Sequence, residues 1–168
     1  RRRGGVLMGR RAGGNPRLQL ACVGGLRAPL DRAGAMFEER IDRMAGLRVD
    51  EVKAEPVQRG EARARAAEGE RLRARLLERA WVVALDPLGR QPKDSEAFAA
   101  GLGRRMDEGR PVAYVIGGAA GLDPDLLAAA DERLAIGTLT MPHQLARVVL
   151  TEQVYRALCI LAGHPYPH

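Results

Sequence analysis

Short apolar runs alternate with longer helical stretches along most of this chain, and two of the runs end in abrupt turns. Trp81–Leu85 (WVVAL) leads into Asp86-Pro87-Leu88-Gly89, and Pro111–Ile116 (PVAYVI) leads directly into Gly117-Gly118-Ala119-Ala120-Gly121. A continuous apolar run bounded by turn residues suits a strand covered on both faces, as in a parallel sheet. The same reading places strands at Leu18–Val23, Leu47–Ala54 and Arg133–Ile136. Helices are expected over Asp31–Ala45, Gln58–Ala80 and Ser95–Asp107, from Asp123-Pro124, and from about Pro142 to Ala162. Asp94 or Ser95 is suited to cap the third helix, proline at the first position marks the fourth, and Thr140 is placed to cap the last. Strands alternating with helices imply an α/β fold, a mostly parallel sheet with helices on both faces. Ligands of such sheets bind beyond the carboxyl ends of the strands. That rule selects three loops: Leu85–Gln91, Gly117–Gly121 and Gly137–Pro142.

The net charge of +6 invites a nucleic-acid reading, but its distribution removes most of the force. Six of the 27 lysines and arginines (Arg1, Arg2, Arg3, Arg10, Arg11, Arg17) lie within residues 1–17, where there is no acid; the other 21 are balanced by 21 acidic residues. Residues 1–16, rich in arginine and glycine and without periodicity, are expected to be a disordered extension, with 17–168 as one domain. Any RNA site in that domain must rest on local groups. Cys22 and Cys159 match no metal-ligand spacing and read as thiols of a reducing compartment, which points to the cytoplasm. The most apolar stretch, 145–162, is interrupted by Arg147, Glu152, Gln153 and Arg156, so no membrane span is expected.

The glycine run after Ile116 lets a ligand approach bare backbone, although it matches neither the dinucleotide fingerprint nor a P-loop, and a plain strand-to-helix turn would carry the same residues. Gly137-Thr138-Leu139-Thr140-Met141-Pro142 mixes small, apolar and hydroxyl residues in a way that suits an adenosine pocket using backbone hydrogen bonds as well as it suits a simple connection. The last helix is apolar over most of its circumference, so it is expected to be covered both by its own sheet and by a second subunit. His143, Arg147 and Thr151 share one of its faces, while Glu152 and Arg156 are spaced as an i,i+4 pair. His143, His164 and His168 all fall near the C-terminus, close to Arg156 and Tyr166, which favours acid-base or substrate work there. No carboxylate or cysteine completes a metal set with them, so no metal is expected.

Taken in order, Ala84-Leu85-Asp86-Pro87-Leu88-Gly89-Arg90, Val115–Leu122, Thr140–Leu150, Glu152–Ala157 and Gly163-His164-Pro165-Tyr166 closely resemble the bacterial large-subunit ribosomal RNA pseudouridine N3-methyltransferases, small members of the SPOUT class. The resemblance is strong over 81–166, fair over 17–80 and absent from 1–16. It implies a C-terminal trefoil knot, a homodimer, S-adenosylmethionine as methyl donor, and large-subunit ribosomal RNA in the assembled ribosome as substrate. Carried over residue by residue, it assigns the cofactor to Leu85, Gly117, Ile136, Gly137, Thr138, Leu139, Thr140 and Met141. It assigns Arg156, Tyr166 and His164 to catalysis, and His143, Arg147, Arg156 and His168 to the RNA. The sequence departs from the family pattern in four places: residues 1–16 precede the family's usual start, the loop at Gly24–Pro29 is short, Ala120 stands where a polar or acidic residue is usual, and Pro167 displaces His168 by one residue. Two alternatives come from other classes: a non-catalytic ribosome- or RNA-associated protein of the same fold, and a nucleotide-dependent oxidoreductase on a doubly wound sheet, against which the missing dinucleotide fingerprint argues.

Overall fold

The structure is a computed structural model, and it describes residues 15–166. Of the expected N-terminal extension only Asn15 and Pro16 fall within that range, and His168 falls outside it. The elements are β1 (Leu18–Val23), α1 (Leu30–Ala45), β2 (Leu47–Val52), a 3₁₀ turn (Val57–Arg59), α2 (Glu61–Arg73), β3 (Trp81–Arg90) and α3 (Ser95–Asp107). They continue with β4 (Val112–Ile116), α4 (Pro124–Ala129), β5 (Glu132–Leu134) and α5 (His143–Ala162). The strands form one sheet in the order β2-β1-β4-β3-β5, and every neighbouring pair is parallel.

The two-residue period of a strand divides the core cleanly. Leu18, Leu20 and Cys22 of β1 and Val112, Tyr114 and Ile116 of β4 pack with Ile41 of α1, Leu102 of α3 and Leu150 and Leu158 of α5. Ala21, Val23, Ala84 and Val115 face the other way, onto Leu72 of α2 and Leu126 of α4. Helices therefore cover both faces, as the apolar runs require. Burial pushes the Cys22 thiol up to about 12, so it packs as an inert hydrophobe. Among the described residues, no helix is long and apolar enough to cross a membrane.

Three local expectations are corrected. The helix expected over Gln58–Ala80 is broken at Gly60 (φ +108) and ends at Arg73. Gln19, fully buried in β1, accounts for that ending. Its amide nitrogen donates to the Arg75 carbonyl at 2.7 Å and to Asp50 Oδ2 at 2.6 Å, and its oxygen accepts from the Leu77 amide at 2.9 Å. A buried amide must be satisfied, and here it takes backbone groups that a continuing α2 would need. Strand β3 does not end at Leu85: residues 86–89 leave the ladder, and Arg90 rejoins it opposite Leu134, which also pairs with Leu85. Gly89 sits where a Cβ would meet the Arg133 carbonyl carbon at 2.6 Å, so the strand can close back only without a side chain there. Thr140 makes no cap; Pro142 occupies the cap position of α5, whereas Asp94 does cap α3 by accepting from the Ala97 amide at 2.7 Å.

Within the protomer α5 lies between α1 and α3 with its inner face on the sheet, while Leu145 and Ile160 remain exposed.

Candidate functional site

The connections that leave the adjacent strands β3 and β4 diverge. The chain after β3 passes to α3 on one face of the sheet, and the chain after β4 passes to α4 on the other. A crevice opens where neighbouring connections part in this way. It holds a cavity of about 840 Å³, walled by Leu85–Pro87, by Ile116–Leu122, and by Leu134 with the segment from Ile136 into the start of α5. Those are the three loops selected from the sequence, and the volume falls in the range of small-molecule sites.

The cavity depends on bare backbone. Gly117 is buried at the end of β4, and a Cβ on it would lie 2.7 Å from the Gly121 carbonyl carbon and 2.8 Å from its oxygen. Gly121 itself adopts φ +82 and donates its amide to the Gly118 carbonyl at 3.1 Å, folding the loop back on itself. No side chain fits into that fold-back. Apolar groups (Leu85, Ile116, Leu134, Ile136, Leu139, Met141) line much of the remaining wall. Of the residues assigned to the cofactor, Leu85, Gly117, Ile136, Gly137, Leu139, Thr140 and Met141 border the cavity; Thr138 does not. His143, expected to face RNA, borders it as well.

Charged groups at the cavity differ in how far they are engaged. Asp86 Oδ2 accepts from Arg133 Nε at 2.6 Å, and its other oxygen accepts from the Leu88 amide at 3.1 Å, so its charge is compensated. Arg65 reaches the wall from α2 and donates from Nη1 to the Ala120 carbonyl at 3.2 Å. Sequence reasoning missed Arg65, because it sits far upstream in a helix whose periodicity marks it only as a polar position.

A second cluster lies at the far end of α5. Glu152 Oε1 accepts from Arg156 Nη2 at 2.8 Å and Nε at 3.1 Å, and from the Tyr166 hydroxyl at 2.8 Å. The guanidinium carbon of Arg156 stands 4.0 Å from the Tyr166 ring centroid, a cation–π contact. Tyr166 packs at 5.5 Å from the Tyr155 ring, which also meets Phe37 and lies under Arg40 of α1. Burial, and then the hydrogen bond to Glu152, raise the Tyr166 hydroxyl above its ordinary value. It is therefore a neutral donor at physiological pH and fixes geometry rather than taking a proton. Gly163 (φ +68) ends α5, and the exposed His164 follows with its amide bonded to the Cys159 carbonyl at 3.0 Å. The sequence identified Arg156, Tyr166 and the Glu152–Arg156 pair; it did not reveal Phe37 and Arg40, which come from another helix.

Arg147 is found elsewhere than expected. Its side chain is 5% exposed, with Nη1 at 2.6 Å from Glu51 Oε1 of β2 and Nη2 at 2.8 Å from Glu38 Oε1 of α1. Its charge is spent inside the protomer, clamping α5 to α1 and to the edge strand. Arg147→Met is expected to cost about 2–3 kcal/mol, discounted because Glu51 is partly solvated, and to appear as a lower urea midpoint. The salt dependence of RNA association should stay as in the unaltered protein; a shallower slope would restore Arg147 as a phosphate contact.

The cavity and the cluster are far apart within one chain. His143 opens α5 at the cavity, and Arg156 follows three and a half turns later, about 20 Å along the axis and beyond the reach of an arginine side chain.

An all-parallel sheet with a glycine-walled crevice at its strand ends defines an α/β ligand-binding protein. The chain belongs to the family described as predicted SPOUT methyltransferase, whose pattern matches residues 17–168. Ribosomal RNA large subunit methyltransferase H of Gluconacetobacter diazotrophicus is 40% identical over 149 residues, which is 89% of this chain and 95% of that protein. The protein of the same name from Xanthobacter autotrophicus is 44% identical over 158 residues, 89% of this chain and 98% of its own length. A probable methyltransferase from Bordetella pertussis Tohama I, known from its crystal structure, shares the fold with a TM-score of 0.52 at 17% identity, covering 85% of this chain and 95% of that one.

Proposed function

We propose that this protein transfers a methyl group from S-adenosylmethionine to N3 of a pseudouridine in large-subunit ribosomal RNA, acting on the assembled ribosome in the cytoplasm. The observation that carries the reading is the cavity at the strand ends, walled by all three loops that the family uses for its cofactor and kept open by Gly117. Relatives named for ribosomal RNA methylation, aligned over nearly their whole length, support the substrate class. A donor-sized cavity favours the catalytic reading over a non-catalytic RNA-associated protein of the same fold.

The apolar wall suits the adenosine of the donor, and the bare backbone at Gly117–Gly121 suits its close approach. The bound donor supplies an electrophilic methyl on sulfur. In the transfer a bond forms between that carbon and N3, the carbon–sulfur bond breaks, S-adenosylhomocysteine leaves, and the N3 proton is lost. Arg156 offsets the negative charge that spreads to the ring carbonyls as the proton departs. Tyr166 holds Arg156 and the base in place, and His164 is the described residue suited to take the proton. His143 at the cavity rim contacts the RNA, and His168 is assigned there by the resemblance.

The proposal includes the trefoil knot and the homodimer implied by family membership. The dimer answers a geometric need. With about 20 Å of helix between cavity and cluster, one chain cannot bring Arg156 to the donor it binds, whereas a second copy packed on it can. Incubation of the protein with labelled donor and ribosomes lacking the modification, followed by mass spectrometry of the RNA, should locate one methyl on a pseudouridine. Donor binding without any methylated nucleotide would return the non-catalytic reading.

A further inference from the structure

We infer that Arg65 recognises the carboxylate of the methyl donor's amino-acid portion. The inference rests on the proposed donor site and adds a residue that neither the strand-end rule nor the family's cofactor positions include.

Most of the cavity wall is apolar or bare backbone, which suits an adenosine but leaves a carboxylate without a partner. Burying that anion against such a wall is costly unless it meets a cation and hydrogen-bond donors. Asp86 has the wrong sign and is engaged by Arg133 and the Leu88 amide. Arg65 has the right sign, and its side chain, 29% exposed, stands beside the Ala119–Gly121 edge of the cavity. One of its five N–H groups is used on the Ala120 carbonyl at 3.2 Å. Its nearest carboxylate, Glu61 Oε2, lies at 3.7 Å on a side chain 72% exposed, a contact too solvated to neutralise the guanidinium.

Residue 120 strengthens the case. Ala120 carries no side-chain acceptor and meets Arg65 through its backbone carbonyl, which orients the guanidinium without cancelling its charge. The planar guanidinium can then offer parallel donors to both oxygens of a carboxylate.

Two ligands separate the possibilities by calorimetry: S-adenosylhomocysteine, which has the amino-acid carboxylate, and 5′-methylthioadenosine, which keeps the adenosine and thioether but lacks it. Arg65→Ala should weaken S-adenosylhomocysteine about ten- to hundredfold and leave 5′-methylthioadenosine within a factor of two or so. Arg65→Lys should recover part of the loss. Equal weakening of both ligands would make Arg65 only a tether for the glycine loop and overturn the inference, as would no weakening of either. Failure of both ligands to bind the unaltered protein would overturn the donor site itself and this inference with it.

Discussion

Gly117→Val is expected to weaken S-adenosylmethionine binding by roughly ten- to a hundredfold or more, while the protein still melts cooperatively at a somewhat lower temperature. A Cβ at this position lies 2.7 Å from the Gly121 carbonyl carbon and 2.9 Å from the Leu122 amide nitrogen. These are backbone atoms, and they cannot swing aside as the end of a side chain would. The fold-back of residues 118–121 must open, and the wall that approaches the donor moves with it. Gly137→Ala is the comparison, since a Cβ there meets nothing within 4 Å and should leave the melting temperature unchanged. Calorimetry with the donor reads both variants. Wild-type affinity in Gly117→Val would remove the glycine loop from the binding site.

Arg156→Ala should leave donor affinity intact and lower the turnover on ribosomes about a hundred- to a thousandfold, the scale of losing one charge-stabilising donor at a reacting centre. A clean loss in kcat would set Arg156 in the chemistry, whereas a rise in KM alone would make it a docking contact. Mixed dimers test the proposed assembly as well. Subunits of Gly117→Val and Arg156→Ala, allowed to exchange at random, should recover about a quarter of the activity of the unaltered protein. Half of the dimers are then mixed, and each of these holds one intact pairing of cavity and cluster. No recovery would mean that each cavity works with the Arg156 of its own chain.

The legible parts of this molecule were those governed by local periodicity and by the strand-end rule. The buried strands β1 and β4 and the helix α5 fell close to their expected bounds because their apolar pattern is unbroken. The loops at Leu85, Gly117 and Ile136 form a single cavity because parallel strands deliver their connections to one edge of the sheet. What escaped was set by partners distant in sequence. Gln19 ends α2 by taking the Leu77 amide, and Gly89 lets β3 close onto β5 past Arg133. Arg147 shares a helix face with His143, as expected, but that face turns inward to Glu38 and Glu51. Periodicity shows which residues share a face; it does not show which carboxylates wait across it. Arg156 and Tyr166 were assigned by resemblance, and their joint engagement with Glu152 explains why the pairing at i,i+4 is more than a surface salt bridge.

The clamp on α5 has a mechanical meaning. The helix supplies cavity wall at its first turn and the Glu152–Arg156 pair in its second half, and Arg147, one turn in from the start, pins the cavity end to two elements at once. The clamp therefore holds the wall that His143 and Ala146 give the cavity in fixed register with α1 and the sheet edge, so loosening it would be felt first at the donor and only later at the cluster.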